Sequence, residues 1–469
     1  MKKFLVCLLL SLLTVANFSV PLTANANSCQ SEYSGVYGRI DEYLSISFAA
    51  ARIPAASVIV VDGDSVQFEK SYGSCPDTQT PFLLGSVSKS FTALCIMKLC
   101  EEGKIDLNEK ISTYLKGARY GDEITVLQLL NQSAGIDTYQ TLKDYKVGKN
   151  KGKHVYANVN YTLLGQIIEA VSGESYEEFV GRTVFNPLGM NKSAASLKKA
   201  EENGLITGYE NYFGFSVAKK PQFPKNEYDW ITVPAGYLSS SANDLGKYLQ
   251  SYINHTIVSA ESVNQMFTNG VDIEDEIPYR YCMGWNRITE PFGEPVLRHS
   301  GLVETGMSCI YVLPERNLGV AVLINTNDFL VAQGMMDSID WSVTLMLLGM
   351  EPIGIGRFEY PLYHFLYDLL FLIIIAIAVL PLALIKLHIK RLPRGKLWLK
   401  IFILISIHAV LPTVILMFPI IFLATPLWVV CAFVPDLFIV LVLASALLYA
   451  GGAVKSALWI YLNKKGVKI

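Results

Sequence analysis

Three short patterns set chemically useful side chains at fixed spacings. Ser86 and Lys89 form an S-x-x-K within Gly85-Ser86-Val87-Ser88-Lys89. It opens a helical pattern that runs to Glu102 and stops at Gly103. On a helix the i, i+3 spacing puts Lys89 one turn above Ser86 on the same face. A hydroxyl is a weak nucleophile and needs a neighbouring base, which a lysine amine can supply. Free N–H groups and the positive dipole end at a helix start favour a developing oxyanion. The same letters also fit a helix cap at Ser86 or Ser88 beside a solvated lysine. The second pattern is Tyr156-Ala157-Asn158, and the third is His299-Ser300-Gly301 followed by Leu302 on a strand. Each of these alone fits ordinary packing: a loop tyrosine usually packs, and a lone histidine is usually a hydrogen-bonded structural residue.

Their order and their flanks say more. Thr80-Pro-Phe-Leu-Leu-Gly-Ser-Val-Ser-Lys-Ser-Phe-Thr-Ala93, Glu102-Gly-Lys-Ile-Asp-Leu-Asn108, Ile124-Thr-Val-Leu-Gln-Leu-Leu-Asn-Gln-Ser-Ala-Gly135, Pro234-Ala-Gly-Tyr-Leu-Ser-Ser-Ser-Ala-Asn-Asp-Leu245 and Val312-Leu-Pro-Glu-Arg-Asn-Leu-Gly319 are long supporting phrases. With them the chain resembles the serine hydrolases related to class C β-lactamases and low-molecular-weight penicillin-binding proteins, over about residues 36–349. The resemblance implies an α+β, β-lactamase/transpeptidase-like body: an antiparallel sheet flanked by helices, plus a helical region. It implies Ser86 as the acylated nucleophile and Lys89 as its activator. Tyr156 becomes general base and acid, with a phenolate favoured by nearby positive charge. Asn158 holds the substrate amide and Lys89. His299 stands where the family's K-T-G has lysine, with Gly301 beside it on the binding strand. The N–H groups of Ser86 and Leu302 form the oxyanion hole. Histidine has an ordinary pKa near 6.5, so His299 supports a tyrosinate and a substrate carboxylate less reliably than lysine. That weakens the case for a β-lactamase or carboxypeptidase and fits esterases and D-amino-acid-specific peptidases.

The elements that must hold these groups are partly visible. Residues 57–61 and 66–71 are β-rich and joined through Asp62-Gly63-Asp64, a hairpin signal. Residues 106–285 read as mainly helical. Residues 296–299, 307–313 and 319–325 read as strands, and 328–349 as a closing helix. Strands at both ends around a helical middle predict one α+β body.

Composition adds a second compartment. The chain has 469 residues, 51% hydrophobic and only 17% charged, against about a quarter charged in ordinary soluble domains. The formal net charge of −2 excludes a strongly basic nucleic-acid binder. It divides as +2 in residues 1–26, −13 in 27–385 and +9 in 386–469. Residues 1–26 read as a secretory signal peptide, with Lys2-Lys3, an apolar run and Ala24-Asn25-Ala26; an uncleaved anchor is the other reading. Residues 362–385, 399–424 and 437–454 are apolar runs long enough to cross about 30 Å of hydrocarbon as helices. Basic residues crowd between the first two runs and after the third. The positive-inside rule then puts that loop and the C-terminus in the cytoplasm and the body outside. The expected organisation is a signal peptide at 1–26, an extracellular hydrolase domain at 27–350, a linker at 351–361 and a membrane domain at 362–469. His408 lies within the second run and is a functional candidate by position. Export permits disulfides among the cysteines. No zinc-finger spacing or HExxH occurs, so neither metal nor cofactor is expected.

This architecture is similar to the membrane peptidases that remove an N-acyl-D-amino-acid cap from non-ribosomal peptide prodrugs. The expected function is a membrane-anchored, extracytoplasmic serine hydrolase of a bacterial cell. It cleaves an amide or ester beside a D-amino acid: cell-wall peptide, D-alanyl ester or N-acyl-D-amino-acyl peptide. The expected partners are that substrate, the lipid bilayer and a membrane partner protein or transporter. The rival from another class is a non-catalytic penicillin-binding sensor signalling through its membrane helices.

Overall fold

The computed structural model describes residues 33–273, 279–387 and 396–465. The signal-peptide reading, Cys7, Cys29 and part of the basic loop fall outside these residues. The described residues divide into two compact units: 33–211 with 215–360, and 361–465 with Tyr212–Gly214.

The first unit is built on an eight-stranded antiparallel sheet. Its strands are β1 (Ala55–Val61), β2 (Val66–Gly73), β5 (Val271–Asp272), β6 (Tyr279–Cys282), β7 (Trp285–Ile288), β8 (Val296–Val303), β9 (Gly306–Leu313) and β10 (Leu318–Ile324), in spatial order β2-β1-β10-β9-β8-β7-β6-β5. Two further short strands, β3 (Pro81–Leu83) and β4 (Ser239–Ser241), pair with each other apart from this sheet. Alanine and β-branched residues fill β1, Ala-Ala-Ser-Val-Ile-Val-Val, because both faces of the sheet are covered. Its residues alternate between two cores. Ile59 and Val61 meet α2 (Ser88–Glu101), α3 (Asn158–Ser172) and α4 (Ala242–Ile253) in one. Ala56, Val58 and Val60 meet α1 (Tyr33–Ala50) and α5 (Gln333–Leu347) in the other. A sheet between two helical layers is an α+β body.

The β1–β2 hairpin, the strands after 296 and the closing helix lie where the pattern puts them. Two features differ from the expectation. Most regular structure in the middle is helical, as read, but its end is strand: β6, with β7 after it, extends the sheet beyond β8 by register pairs such as Tyr281 with Asn286 and Arg298 with Asn286. Four-residue strands give too few alternations to separate from helix by pattern. The described cysteines Cys75, Cys95, Cys100, Cys282, Cys309 and Cys431 are free thiols, and four of them are buried.

The second unit contains three helices long and apolar enough to cross a membrane: Glu359–Leu387, Leu397–Leu423 and Pro435–Lys464. A short helix, Leu427–Phe433, occupies the connection between the last two. His408 lies in a π-helical turn, Ser406–Val410. Its Nδ1 donates to the Leu448 carbonyl at 2.6 Å, and its Nε2 accepts from Lys455 Nζ at 3.0 Å. Gly451 and Gly452 lie against its ring, which leaves no room there for a side chain.

Candidate active site

Three pieces of chain converge on Ser86. The first is the turn that carries it. β3 leads through Leu84 into a 3-10 turn, Gly85–Val87, and then into α2. Gly85 has φ +50, and a Cβ there would lie 2.5 Å from the Leu302 nitrogen, so only glycine lets this turn close onto β8. Ser88 is not a cap. Its hydroxyl donates to Gly85 O at 2.8 Å and accepts from Leu238 N at 3.0 Å, tying the turn to the β4 segment. Ser86 is half-buried and reachable, while Lys89 is fully buried one turn along α2.

The second piece is the start of α3. Lys89 Nζ lies 2.9 Å from Ser86 Oγ, 2.8 Å from Asn158 Oδ1 and 2.6 Å from the Ala235 carbonyl. Asn158 is the first residue of α3, and Gln132 braces that corner by accepting from Ala157 N at 3.0 Å and Asn160 Nδ2 at 2.5 Å. Lys89 Nζ also sits 4.8 Å from the centre of the Tyr156 ring, whose hydroxyl bonds to Ser86.

The third piece is β8. Gly301 lies directly against the nucleophile turn: a Cβ there would be 2.8 Å from Ser86 N and closer still to Leu84 O. Ser308 on β9 donates to Leu84 O at 2.6 Å and locks the contact. The N–H groups of Ser86 and Leu302 therefore belong to two touching backbones. His299 Nδ1 donates to the Ser300 carbonyl at 2.7 Å, and its Nε2 lies 3.3 Å from the Tyr281 hydroxyl.

Burial decides the charge of these groups. Desolvation holds the Lys89 ammonium well below its ordinary range. Desolvation raises the Tyr156 phenol above its usual value, against a smaller opposing effect of the Ser86 hydrogen bond. Burial, and then the neighbouring Lys89, push His299 down to about 3. Burial thus favours a neutral phenol at Tyr156 over the phenolate expected from nearby positive charge. His299 is likewise a neutral imidazole. The three contacts of Lys89 Nζ are all with oxygens. In the neutral form, two N–H bonds to Asn158 Oδ1 and the Ala235 carbonyl leave the lone pair for the Ser86 hydroxyl proton.

Residues 40–339 match the beta-lactamase family model. The chain belongs to the beta-lactamase family. It is therefore a member of a serine hydrolase family, with the family's antiparallel sheet and helices. It is 27% identical over 323 residues to Protein flp of Staphylococcus aureus strain N315, covering 62% of this chain and 63% of that one. It is 28% identical over 269 residues to a teichoic acid D-alanine hydrolase of Staphylococcus aureus strain MRSA252, covering 52% of this chain and 64% of that one. The chain thus spans less than two thirds of the length of either relative. Among solved structures, an octameric penicillin-binding protein homologue from Pyrococcus abyssi superposes with TM-score 0.59 at 29% identity, covering 69% of this chain and 79% of that one. A D-stereospecific amidohydrolase from Streptomyces superposes with TM-score 0.53 at 20% identity, covering 64% and 98%, and shares the fold.

The structure brings Ser86, Lys89, Tyr156, Asn158, His299, Gly301 and Leu302 to one place. Sequence reasoning missed the Ala235 carbonyl, Gln132 and Tyr281. Ala235 and Gln132 lie within quoted phrases, but a backbone acceptor and a bracing amide carry no signature of their own. Tyr281 lies on a four-residue strand within the stretch read as mainly helical.

Proposed function

We propose that this beta-lactamase family member is a membrane-anchored, extracytoplasmic serine hydrolase that acts through an acyl-Ser86 intermediate on an amide or ester bond beside a D-amino acid. The observation that carries the reading is the 2.9 Å contact of Ser86 Oγ with a fully buried Lys89 whose other two contacts are acceptors. The names of the relatives, a teichoic acid D-alanine hydrolase and a D-stereospecific amidohydrolase, support the D-residue class. The three apolar helices support the anchor.

In the forward half-reaction Ser86 Oγ attacks the substrate carbonyl and its proton passes to Lys89 Nζ. The C=O electrons move to oxygen, which the N–H groups of Ser86 and Leu302 stabilise. Tyr156 gives its proton to the leaving nitrogen or oxygen as the scissile bond breaks, and Lys89 restores that proton to Tyr156. Water then repeats the sequence on the ester: it loses a proton to the same relay, displaces Ser86, and frees the acid. Asn158 holds Lys89 in line and offers its amide N–H to the substrate.

The test is a panel of N-acyl-D- and N-acyl-L-amino-acyl amides and D-alanyl esters, run beside a fluorescent fluorophosphonate label. Wild type should turn over the D series and take the label, and Ser86→Ala should do neither. Equal labelling of the two would remove Ser86 as nucleophile, and turnover of the L series alone would remove the D-residue assignment.

A further inference from the structure

Tyr281 is 1% exposed and lies on β6, two strands from His299. Its side chain belongs to the same buried core as Leu297 and reaches the site. Its ring meets Tyr156 edge-on at 6.1 Å and 84°, and His299 edge-on at 6.0 Å and 81°. The His154 ring lies tilted against it at 5.3 Å and 37°. One residue thus touches the proton carrier and the β8 histidine together.

The protons around it can be counted. A carbonyl only accepts, so the 2.7 Å contact with Ser300 O makes His299 Nδ1 the protonated nitrogen. Nε2 of this neutral ring is then a bare acceptor facing the Tyr281 hydroxyl at 3.3 Å. Because Nε2 is bare, the Tyr281–His299 hydrogen bond runs from the phenol to the ring. Tyr161, which also borders Tyr281, gives its own proton to Leu130 O at 2.8 Å and presents its oxygen as a second acceptor for the same phenol. A buried acceptor left without that donor is costly, so the pair fixes both tautomer and ring orientation.

We propose that Tyr281 is a positioning residue of the hydrolase: its phenol locks His299 in the neutral Nδ1–H form and its ring edge holds Tyr156 against Ser86. This rests on the serine-hydrolase reading above. Its consequence is that the β8 wall of the site is uncharged.

The experiment uses the full chain in detergent, labelled with nitrogen-15 histidine, with His299 assigned by its loss in His299→Gln. Wild type should show a protonated Nδ1 and a hydrogen-bonded, bare Nε2. Tyr281→Phe keeps the ring and removes only the donor. It should shift the Nε2 signal or mix the tautomers. It should also slow fluorophosphonate acylation of Ser86 about three- to tenfold, the range expected for one neutral hydrogen bond. An unchanged His299 spectrum overturns the proposal, as does a changed spectrum with an unchanged acylation rate. If Tyr281→Phe unfolds, Tyr281→His, which keeps a donor, replaces it and should retain the wild-type His299 tautomer; loss of that tautomer in a folded Tyr281→His overturns the proposal. Failure of the hydrolase reading looks different: wild type would label no better than Ser86→Ala while the histidine spectrum still tests Tyr281.

Discussion

Gly301→Ala is the sharpest single probe of the site, because one methyl group would separate the two backbones that carry the proposed oxyanion donors. The added carbon would lie 2.8 Å from Ser86 N and from Ser308 Oγ, and nearer still to Leu84 O. Real carbons do not approach backbone so closely, and Leu84 is itself held by Ser308, so β8 and the nucleophile turn must part by on the order of 1 Å. A misplacement of that size costs about 10²-fold in rate. Loss of one oxyanion donor costs about 10²–10³-fold, or roughly 3–4 kcal/mol. The two estimates agree. Overpacking of this kind costs about 1–3 kcal/mol of stability, less than the 5–15 kcal/mol typical of a domain, so the variant should fold. The assay is the second-order rate of fluorophosphonate labelling, corrected for the folded fraction. Gly334→Ala, at a helical glycine with open space around it, is the control and should label at the wild-type rate. A Gly301→Ala rate within threefold of wild type would refute the reasoning.

Three further outcomes are expected. Tyr156→Phe removes only a hydroxyl and should leave the melting temperature near wild type while cutting turnover about 10²–10⁴-fold, the range for a lost acid–base group; near-normal turnover removes Tyr156 from the mechanism. His299, held at about 3 when folded and near 6.5 when unfolded, contributes stability that is complete above pH 6.5 and is lost as pH falls toward 3, because only the unfolded chain binds the proton in that window. The loss approaches about 4–5 kcal/mol by the lower end, so His299→Gln should flatten the pH dependence of thermal unfolding between 6.5 and 3, and parallel wild-type and variant curves would contradict the buried neutral state. A fragment ending at Pro361 keeps the whole sheet and both of its cores; it should be soluble without detergent and take the label, and insolubility would mean that the apolar helices complete the fold.

The parts of the fold that the sequence displays are those whose own composition demands them. β1 and β10 are continuous runs of small and β-branched residues because both of their faces are covered. The three apolar helices stand out because composition over a long run suffices. Gly85 and Gly301 are legible within motifs, but their reason is steric and appears only when β8 touches the turn. The residue types of the site are legible too, but their charges are not. Tyrosine and histidine read as a potential phenolate and a ring of ordinary pKa, and burial disfavours the charged form of each, as it does for the lysine read as a base. Tyr281 and Ala235 act through a short strand and a backbone oxygen, neither of which has a sequence pattern.

These charges bear on the substrate. A fixed lysine on the binding strand would offer a carboxylate a charge-assisted hydrogen bond worth about 1.5–3 kcal/mol, roughly ten- to a hundredfold in affinity. The neutral His299 has its only N–H committed to Ser300 O and its acceptor to Tyr281. It therefore gives a carboxylate nothing, and the carboxylate must still be desolvated to reach it. The balance shifts toward substrates whose C-terminal side is already uncharged, such as an ester of a D-amino acid or an internal peptide bond. The same neutrality bears on the proposed catalytic step. Arg298, the cation of β8, is engaged by Asp337 and Asp340, and His299 brings no charge to the site. Burial therefore keeps the proton on the Tyr156 phenol, and the proposed mechanism takes Lys89, whose ammonium burial disfavours, as the base. Under that proposal the histidine at the third motif and the base at Ser86 are a single electrostatic choice.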